Sequence, residues 1–349
     1  MASSESDNAV RWKGRPGAYE AYYVILHDAP SRTAWWLRYT LMAPFRARPP
    51  TQPRSASERE GRWAERGEPV VELWGNFFDG KSGRTVALKQ AAPASKAELS
   101  ASPFRFALGD SELTHRSARG RVKSAEGEME WDLKWEPAPR SFRHLPGLFY
   151  SLPLPVARVA SPNPAVSISG RAVVNGTRYE FQGAPGHQTH HWGRRHAPGW
   201  AWGHCGAFKE DPEFVFEGFS VKPRTGSDRL LTIVHFGRPG HAFTFNRLSD
   251  LRKTESRWEL GRWTFAAERG ETRFEGELTG EPAQMVQLEY IDPDDSRLYC
   301  ANTELADMRL KVLRRDGGEW ALQKELTAQG TACFETTRRE PWPGLKVRA

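Results

Sequence analysis

Residues 165–220 read AVSISGRAVVNGTRYEFQGAPGHQTHHWGRRHAPGWAWGHCGAFKEDPEFVFEGFS. Within them, Val173-Val174-Asn175-Gly176-Thr177 places Asn-Gly between two alternating runs of β-branched and aromatic residues. A type I′ turn holds both central residues at positive φ, which Asn and Gly tolerate best, so the pair predicts a β-hairpin. Further along, His187, His190, His191, His196 and His204 fall among Trp192, Trp200 and Trp202. The stretch therefore carries a fold signal and a dense set of side chains able to do chemistry.

Outward from this hairpin, strand signals dominate. Glu20 to His27, Trp35 to Met42, Val70 to Asp79, Thr85 to Gln90, Glu128 to Trp135, Phe214 to Val221 and Leu230 to Phe236 are short and rich in β-branched or aromatic residues, with Gly, Pro or Asp between most of them. Arg269-Gly270-Glu271 and Asp316-Gly317-Gly318 lie between further pairs of such runs and predict two more hairpins. Helical signals are confined to Lys96 to Ser100 and Leu248 to Lys253. The pattern predicts an all-β chain of antiparallel barrels or sandwiches. A chain of 349 residues suits two lobes of about 150 residues each. Seven prolines between Pro137 and Pro164 oppose a regular central strand, so the division is expected within residues 137–170, with lobes over 12–160 and 161–340. Leu145 to Ala160 is apolar and reads as a packed connector, or in a sharper reading as a lid making transient membrane contact. Tyr19-Glu20-Ala21-Tyr22 and Phe216-Glu217-Gly218-Phe219 echo one another, as two similarly built lobes would.

The net charge of +7 and pI near 9.4 come with Arg and Glu interleaved rather than gathered into a basic arm, which argues against a nucleic-acid partner. The densest basic stretch, Arg46 to Arg66, also holds prolines and acids and reads as a solvated loop. Three scattered cysteines, Cys205, Cys300 and Cys333, match no zinc spacing and suit reduced thiols. The N-terminal residues lack the apolar core of a signal peptide, and no window is apolar enough to span a bilayer, so a cytoplasmic location is expected. No dinucleotide fingerprint, phosphate-cradling loop or nucleophile elbow is present.

Glu20 and Glu217 sit in strands apolar on both faces. A carboxylate turned into such an interior becomes a general acid, or is a structural group paired with Arg. Strand parity sends His187 and His190 to opposite faces and leaves His187 and His191 about 13 Å apart, which predicts no metal site. Trp200, Trp202 and His204 share one face of a strand, and Trp36 and Trp74 offer a similar lining in the first half. Indole faces suit a flat or polyene ligand and stabilise developing positive charge, though core packing is the commoner role of any one Trp.

The order Gly170-Arg171-Ala172-Val173-Val174-Asn175-Gly176, Gly186-His187-Gln188-Thr189-His190-His191-Trp192-Gly193, Trp200-Ala201-Trp202, Phe208 and Phe216-Glu217-Gly218-Phe219 resembles the lipocalin-like superfamily of tocopherol cyclases and carotenoid 1,2-hydratases (hydroxyneurosporene synthases). Gly17-Ala18-Tyr19-Glu20-Ala21-Tyr22-Tyr23 and Trp35-Trp36-Leu37-Arg38-Tyr39-Thr40 resemble its opening. The resemblance implies two consecutive lipocalin-like lobes that bind a lipophilic isoprenoid, terpenoid or polyketide. It implies cofactor-free, acid-assisted hydration or cyclisation, in which Glu20 or His190 protonates or orients the substrate. Trp36, Trp74, Trp192, Trp200, Trp202, His204 and Glu217 then form the substrate site. The rival expectation is a noncatalytic carrier using the same cavity.

Overall fold

The computed structural model describes residues 4–45, 67–152, 157–223, 229–238, 241–247, 249–250 and 253–348. The chain is all-β and forms two curled antiparallel sheets. The first contains β1 (Ala18–Asp28), β2 (Thr33–Ala43), β3 (Val70–Asp79), β4 (Thr85–Pro93), β5 (Ala97–Ala101), β6 (Phe104–Leu108), β7 (Ser111–Thr114), β8 (Ser117–Ser124), β9 (Gly127–Trp135), β10 (Phe142–Arg143), β11 (Ala157–Val174) and β12 (Thr177–Gly193). The second contains β13 (Trp200–Cys205), β14 (Val215–Val221), β15 (Leu231–Arg238), β16 (His241–Phe245), β17 (Thr254–Glu259), β18 (Arg262–Arg269), β19 (Thr272–Thr279), β20 (Val286–Ile291), β21 (Arg297–Asp316) and β22 (Glu319–Arg338).

The two sheets repeat one plan. The first runs β4-β3-β2-β1-β12-β11-β9 and onward, with β10 paired to β11. The second runs β16-β15-β14-β13-β22-β21-β19 and onward, with β20 paired to β21. In each, a four-strand meander is closed by a long terminal hairpin. The β11–β12 turn is the expected one, with Asn175 at φ 48° and Gly176 at φ 81°. Its counterpart between β21 and β22 uses Gly317 and Gly318, both at positive φ. The Glu20 and Glu217 echo does not follow this repeat, because Glu20 lies on β1 and Glu217 on β14, whereas β13 is the counterpart of β1.

The change of sheet comes between Gly193 and Trp200 rather than near residue 160. β11 and β12 pair with β9 and β1, which keeps residues 157–193 in the first sheet. The prolines do not stop β11 either. Register breaks on both sides of Asn163 absorb Pro162 and Pro164, whose missing N–H groups would leave gaps in a regular ladder. Lys96 ends a short 3-10 turn and the residues after it form β5, so the helical signal at Lys96 to Ser100 is overridden by pairing with β6. The Arg46–Arg66 loop reading lies outside the described residues, and Leu248–Lys253 falls partly outside them.

Strand parity explains where the cores sit. In β1 and β2, Tyr22, Val24, Leu26, Trp35, Leu37, Tyr39 and Leu41 point into the first lobe. Ile25, Ala34 and Trp36 point outward, as do Trp74 and Phe78 of β3, and pack against Trp200, Val286, Leu288, Tyr290, Leu298, Cys300 and Cys333 of the second lobe. β2 is therefore buried along its whole length, which accounts for apolar residues on both of its faces, interrupted by Arg38 and Thr40. The second lobe has its own core around Phe216, Phe236, Trp263, Phe265 and Phe274. Full burial of each large side chain is worth about 1.5–3 kcal/mol, so the contact between lobes is a third core.

Candidate functional site

Where the outward face of β1–β4 meets β20 and the turn after it, the lobes enclose a cavity of about 580 Å³. Its walls include Tyr19, Arg38, Thr40, Met42, Trp74, His196, Tyr290 and Asp292. The residues from β2 and β3 alternate with core residues of the first lobe, so the pleat that builds that core also presents this lining. A second hollow of about 460 Å³ over β17–β19 is a surface groove among Glu255, Arg257, Glu277, Arg309 and Lys311.

Arg38 decides the electrostatics of the cavity. It is 4% exposed, and its Nε and Nη1 find no hydrogen-bond acceptor. Its guanidinium carbon lies 4.5 Å from the ring centre of Tyr290, 5.3 Å from Tyr23, 5.4 Å from Trp74 and 6.0 Å from Trp36. Burial opposes its charge, but Tyr23, Tyr290, Glu72 and Glu335 outweigh that effect and its pKa is raised. Glu72 is engaged by Trp74 Nε1 at 3.1 Å, and Glu335 by Trp200 Nε1 at 2.8 Å. A buried cation held only by ring faces is an arrangement that a ligand oxygen would complete. Thr40 Oγ1, on the same strand face, also lacks a partner.

The opposite wall carries a histidine–carboxylate pair. His196 donates its backbone N–H to Asp292 Oδ1 at 3.0 Å and its Nδ1–H to the same oxygen at 2.6 Å. That assignment puts the lone pair of the neutral ring on the other nitrogen, Nε2. Burial pushes the Asp292 carboxyl up, but the His196 donors, with help from Ser296, outweigh it and hold it below the usual range. The imidazole stacks on Tyr19 at 4.4 Å and faces Trp200 and Tyr290 at 5.5 and 5.9 Å. Tyr19 Oη lies 2.7 Å from His191 Nε2. Burial, reinforced by His196 and Arg38, keeps His191 well below the ordinary imidazole pKa, so the bond joins the tyrosine hydroxyl to a neutral ring. Donor, acceptor, cation and aromatic walls thus converge on one space.

The residues expected from sequence are distributed over three places. Trp36 and Trp74 flank Arg38, and Trp200 stacks behind His196. Glu20 and His190 face into the first lobe and bond each other at 2.8 Å. Glu20 also accepts from Tyr22 Oη and the Arg11 backbone, and His190 Nδ1 donates to the Asp7 carbonyl. Glu20 is thus a paired interior carboxylate, with His190 in place of the expected Arg. Neither residue lines the cavity, and Trp192 stacks on His190 away from it. Glu217 accepts from Ser161 Oγ at 2.7 Å and lies 3.1 Å from His144. Burial resists its ionisation, but His144, His204 and His187 outweigh that and hold the carboxyl far below its usual range. Trp202 and His204 gather around His187, whose ring centre is 3.8 Å from that of His204. The parity argument holds along β12 itself, but it does not cover His204, which arrives from β13.

Arg38 and Asp292 were not singled out from sequence. An Arg inside the otherwise apolar run Trp35 to Tyr39 is a readable signal, whereas Asp292-Pro293-Asp294-Asp295 looks like any polar turn. Only the fold brings Asp292 beside His196.

Buried neutral histidines set an acid limit on stability. Burial of His235 pushes its pKa down to about 4, with Glu217 opposing and His144 and His204 assisting. The unfolded chain, with an ordinary imidazole, takes up this proton first as pH falls. The contribution is therefore complete above about pH 6.5 and is lost toward pH 4, amounting to on the order of 3 kcal/mol. Melting temperature is expected to fall across that window, and His235→Gln to flatten the fall by one proton's worth. An unchanged slope in the variant would remove His235 from the account.

The chain belongs to the tocopherol cyclase-like family, whose profile matches residues 162–336. An uncharacterized protein of Mycobacterium tuberculosis is 25% identical over 329 residues, covering 92% of this chain and 90% of its own. Among solved structures, an AttH-type protein of Nitrosomonas europaea aligns with a TM-score of 0.55 at 11% identity, over 92% of this chain and 91% of that one. Kievitone hydratase of Nectria haematococca aligns with a TM-score of 0.52 at 8% identity, over 98% and 94% respectively. These two likenesses establish a shared two-lobe fold over nearly the whole chain. Among the described residues no helix is long and apolar enough to cross a membrane.

Proposed function

We propose that the interlobe cavity binds a lipophilic small molecule bearing an acidic or carbonyl oxygen and adds water, or a hydroxyl of the same molecule, across one of its C=C bonds. Hydration and cyclisation are then one reaction with two nucleophiles: one alkene carbon gains a proton and the other gains oxygen, so the electrons balance without a redox partner. Arg38 anchors the ligand oxygen, Trp74 and Tyr290 face the developing positive charge, and Met42 and Val70 receive the apolar body. His196, oriented by Asp292, exchanges the proton at Nε2. The family membership and the hydratase among the fold relatives support this reading. The observation that carries it is the His196–Asp292 pair in the same cavity as the partnerless Arg38 guanidinium.

Incubating the protein with a lipophilic extract in isotopically labelled water tests the reaction. A labelled-oxygen product, or a product isomeric with its precursor, is expected with the wild type and not with Asp292→Asn. The exposed need of Arg38 for an anion suits a carrier equally well. Saturable binding of a polyene carboxylic acid with no new product in any extract would select the carrier and sink the enzyme.

A further inference from the structure

Elsewhere in the seam between the lobes, five strands bring together side chains that the cavity chemistry does not use. His27 comes from β1, His187 from β12, His204 from β13, Glu304 from β21 and Cys333 from β22, and all five are buried. The donor atoms of His187, His204 and Cys333 lie within 4.8 Å of one another, and so do those of His27, Glu304 and Cys333. The Cys333 sulfur is common to both sets and lies 3.9 Å from His27 Nε2.

Several of these groups lack partners of their own. Neither ring nitrogen of His187 has one. His204 donates Nε2–H to the Pro164 carbonyl at 2.7 Å, which fixes its tautomer and leaves a lone pair on Nδ1, also without a partner. That carbonyl sits in the bulged part of β11, so the proline irregularity supplies the orienting acceptor that ligating histidines ordinarily have. Glu304 uses Oε1 to accept from Asn302 and interacts with the Cys333 thiol. The partnerless imidazole nitrogens of His187 and His204 are costly in a buried seam unless something joins them.

We propose that His187, His204 and Cys333, with a fourth ligand from His27 or Glu304, bind one zinc-class divalent ion that staples the two lobes. Imidazole and thiolate ligands suit a borderline-soft ion, and four protein ligands make a closed structural site. Charge supports the set: a dication beside a thiolate and a carboxylate sums to zero, the cheapest state for a buried cluster. Zinc bonds of about 2.0–2.3 Å place tetrahedral donors roughly 3.3–3.8 Å apart, so the groups need to close by about an ångström. The stacked His187 and His204 rings turn edge-on about their χ2 angles to do so. Histidines scattered along the sequence thus come together where the two sheets pack on each other, which spacing within one strand does not reveal.

The test uses the full chain without a histidine tag, stripped with a chelator and titrated with cobalt(II), then with zinc(II). One equivalent of cobalt is expected to give tetrahedral visible bands with a thiolate-to-cobalt charge-transfer band, and zinc to displace it and raise the melting temperature. Cys333→Ser should lose the charge-transfer band, while Cys205→Ser, in the second-lobe core, should keep it. Should Cys333→Ser fail to fold, zinc-edge X-ray absorption of the wild type decides, with one sulfur and two or more imidazoles expected in the first shell. Absence of saturable binding at one equivalent, a shell without sulfur, or a band that survives in folded Cys333→Ser overturns the proposal and leaves the cluster to ordered water. None of these readouts depends on turnover, so the outcome is separate from that of the cavity reaction.

Discussion

Asp292→Asn is expected to lower turnover by roughly 10²- to 10⁴-fold while leaving ligand binding nearly unchanged. The carboxylate receives two donors from His196 on one oxygen, at 2.6 and 3.0 Å. An amide keeps one acceptor oxygen but brings no charge, so it cannot stabilise the imidazolium that forms when Nε2 takes up a proton. It can also turn its NH2 toward Nδ1, which then prefers the tautomer with the proton on the wrong nitrogen. The loss should fall on kcat, with KM and the affinity for a polyene carboxylic acid holding. Equal loss in kcat and affinity would mean that Asp292 shapes the cavity and does not serve the proton transfer.

The second large effect concerns Arg38→Met, for which binding should fall and stability should hold. Affinity for a lipophilic carboxylic acid should fall by about 100-fold or more, as expected when a charged hydrogen bond in a largely buried site is removed. The melting temperature of the ligand-free protein should stay within a few degrees of the wild type. Burying the cation costs several kcal/mol, which the four surrounding rings, at about 0.5–2 kcal/mol each, and the nearby Glu72 and Glu335 carboxylates offset to a similar size. Methionine keeps the length, packs its sulfur against the rings and carries no charge. A fall of several degrees, with affinity intact, would make Arg38 a structural cation. The methyl ester of the same probe keeps the carbonyl oxygen but lacks the charge, so its affinity should fall less in the variant than that of the acid.

Much of the architecture is legible in the sequence because its signals are local. Asn175-Gly176, Gly270-Glu271 and Gly317-Gly318 each announce a hairpin, and all three are turns between adjacent strands. Alternation within β1 to β3 is hidden, since both faces are buried and apolar residues are needed on each. The prolines of β11 mislead for a related reason: a bulge accommodates them, and bulges depend on what lies alongside. The site is less legible still. Trp36 and Trp74 are visible as aromatic strand residues, but Asp292 meets His196 across a sequence separation of 96, and His187 meets His204 from another sheet. Glu20 and His190 attract attention as buried polar residues, and they pair with each other inside the first lobe through Glu20 Oε1, while Glu20 Oε2 has no partner.

The aromatic seam has a bearing on how the protein can be handled. Ile25, Trp36, Trp74 and Phe78 on one side and Trp200, Leu288, Tyr290 and Leu298 on the other are covered only by each other. Either half made alone would present a broad sticky face to solvent and invite aggregation. A backbone cut in the Arg194–Gly199 linker would instead leave two fragments with complementary faces, each the natural chaperone of the other, and with the reaction cavity assembled only on their reunion.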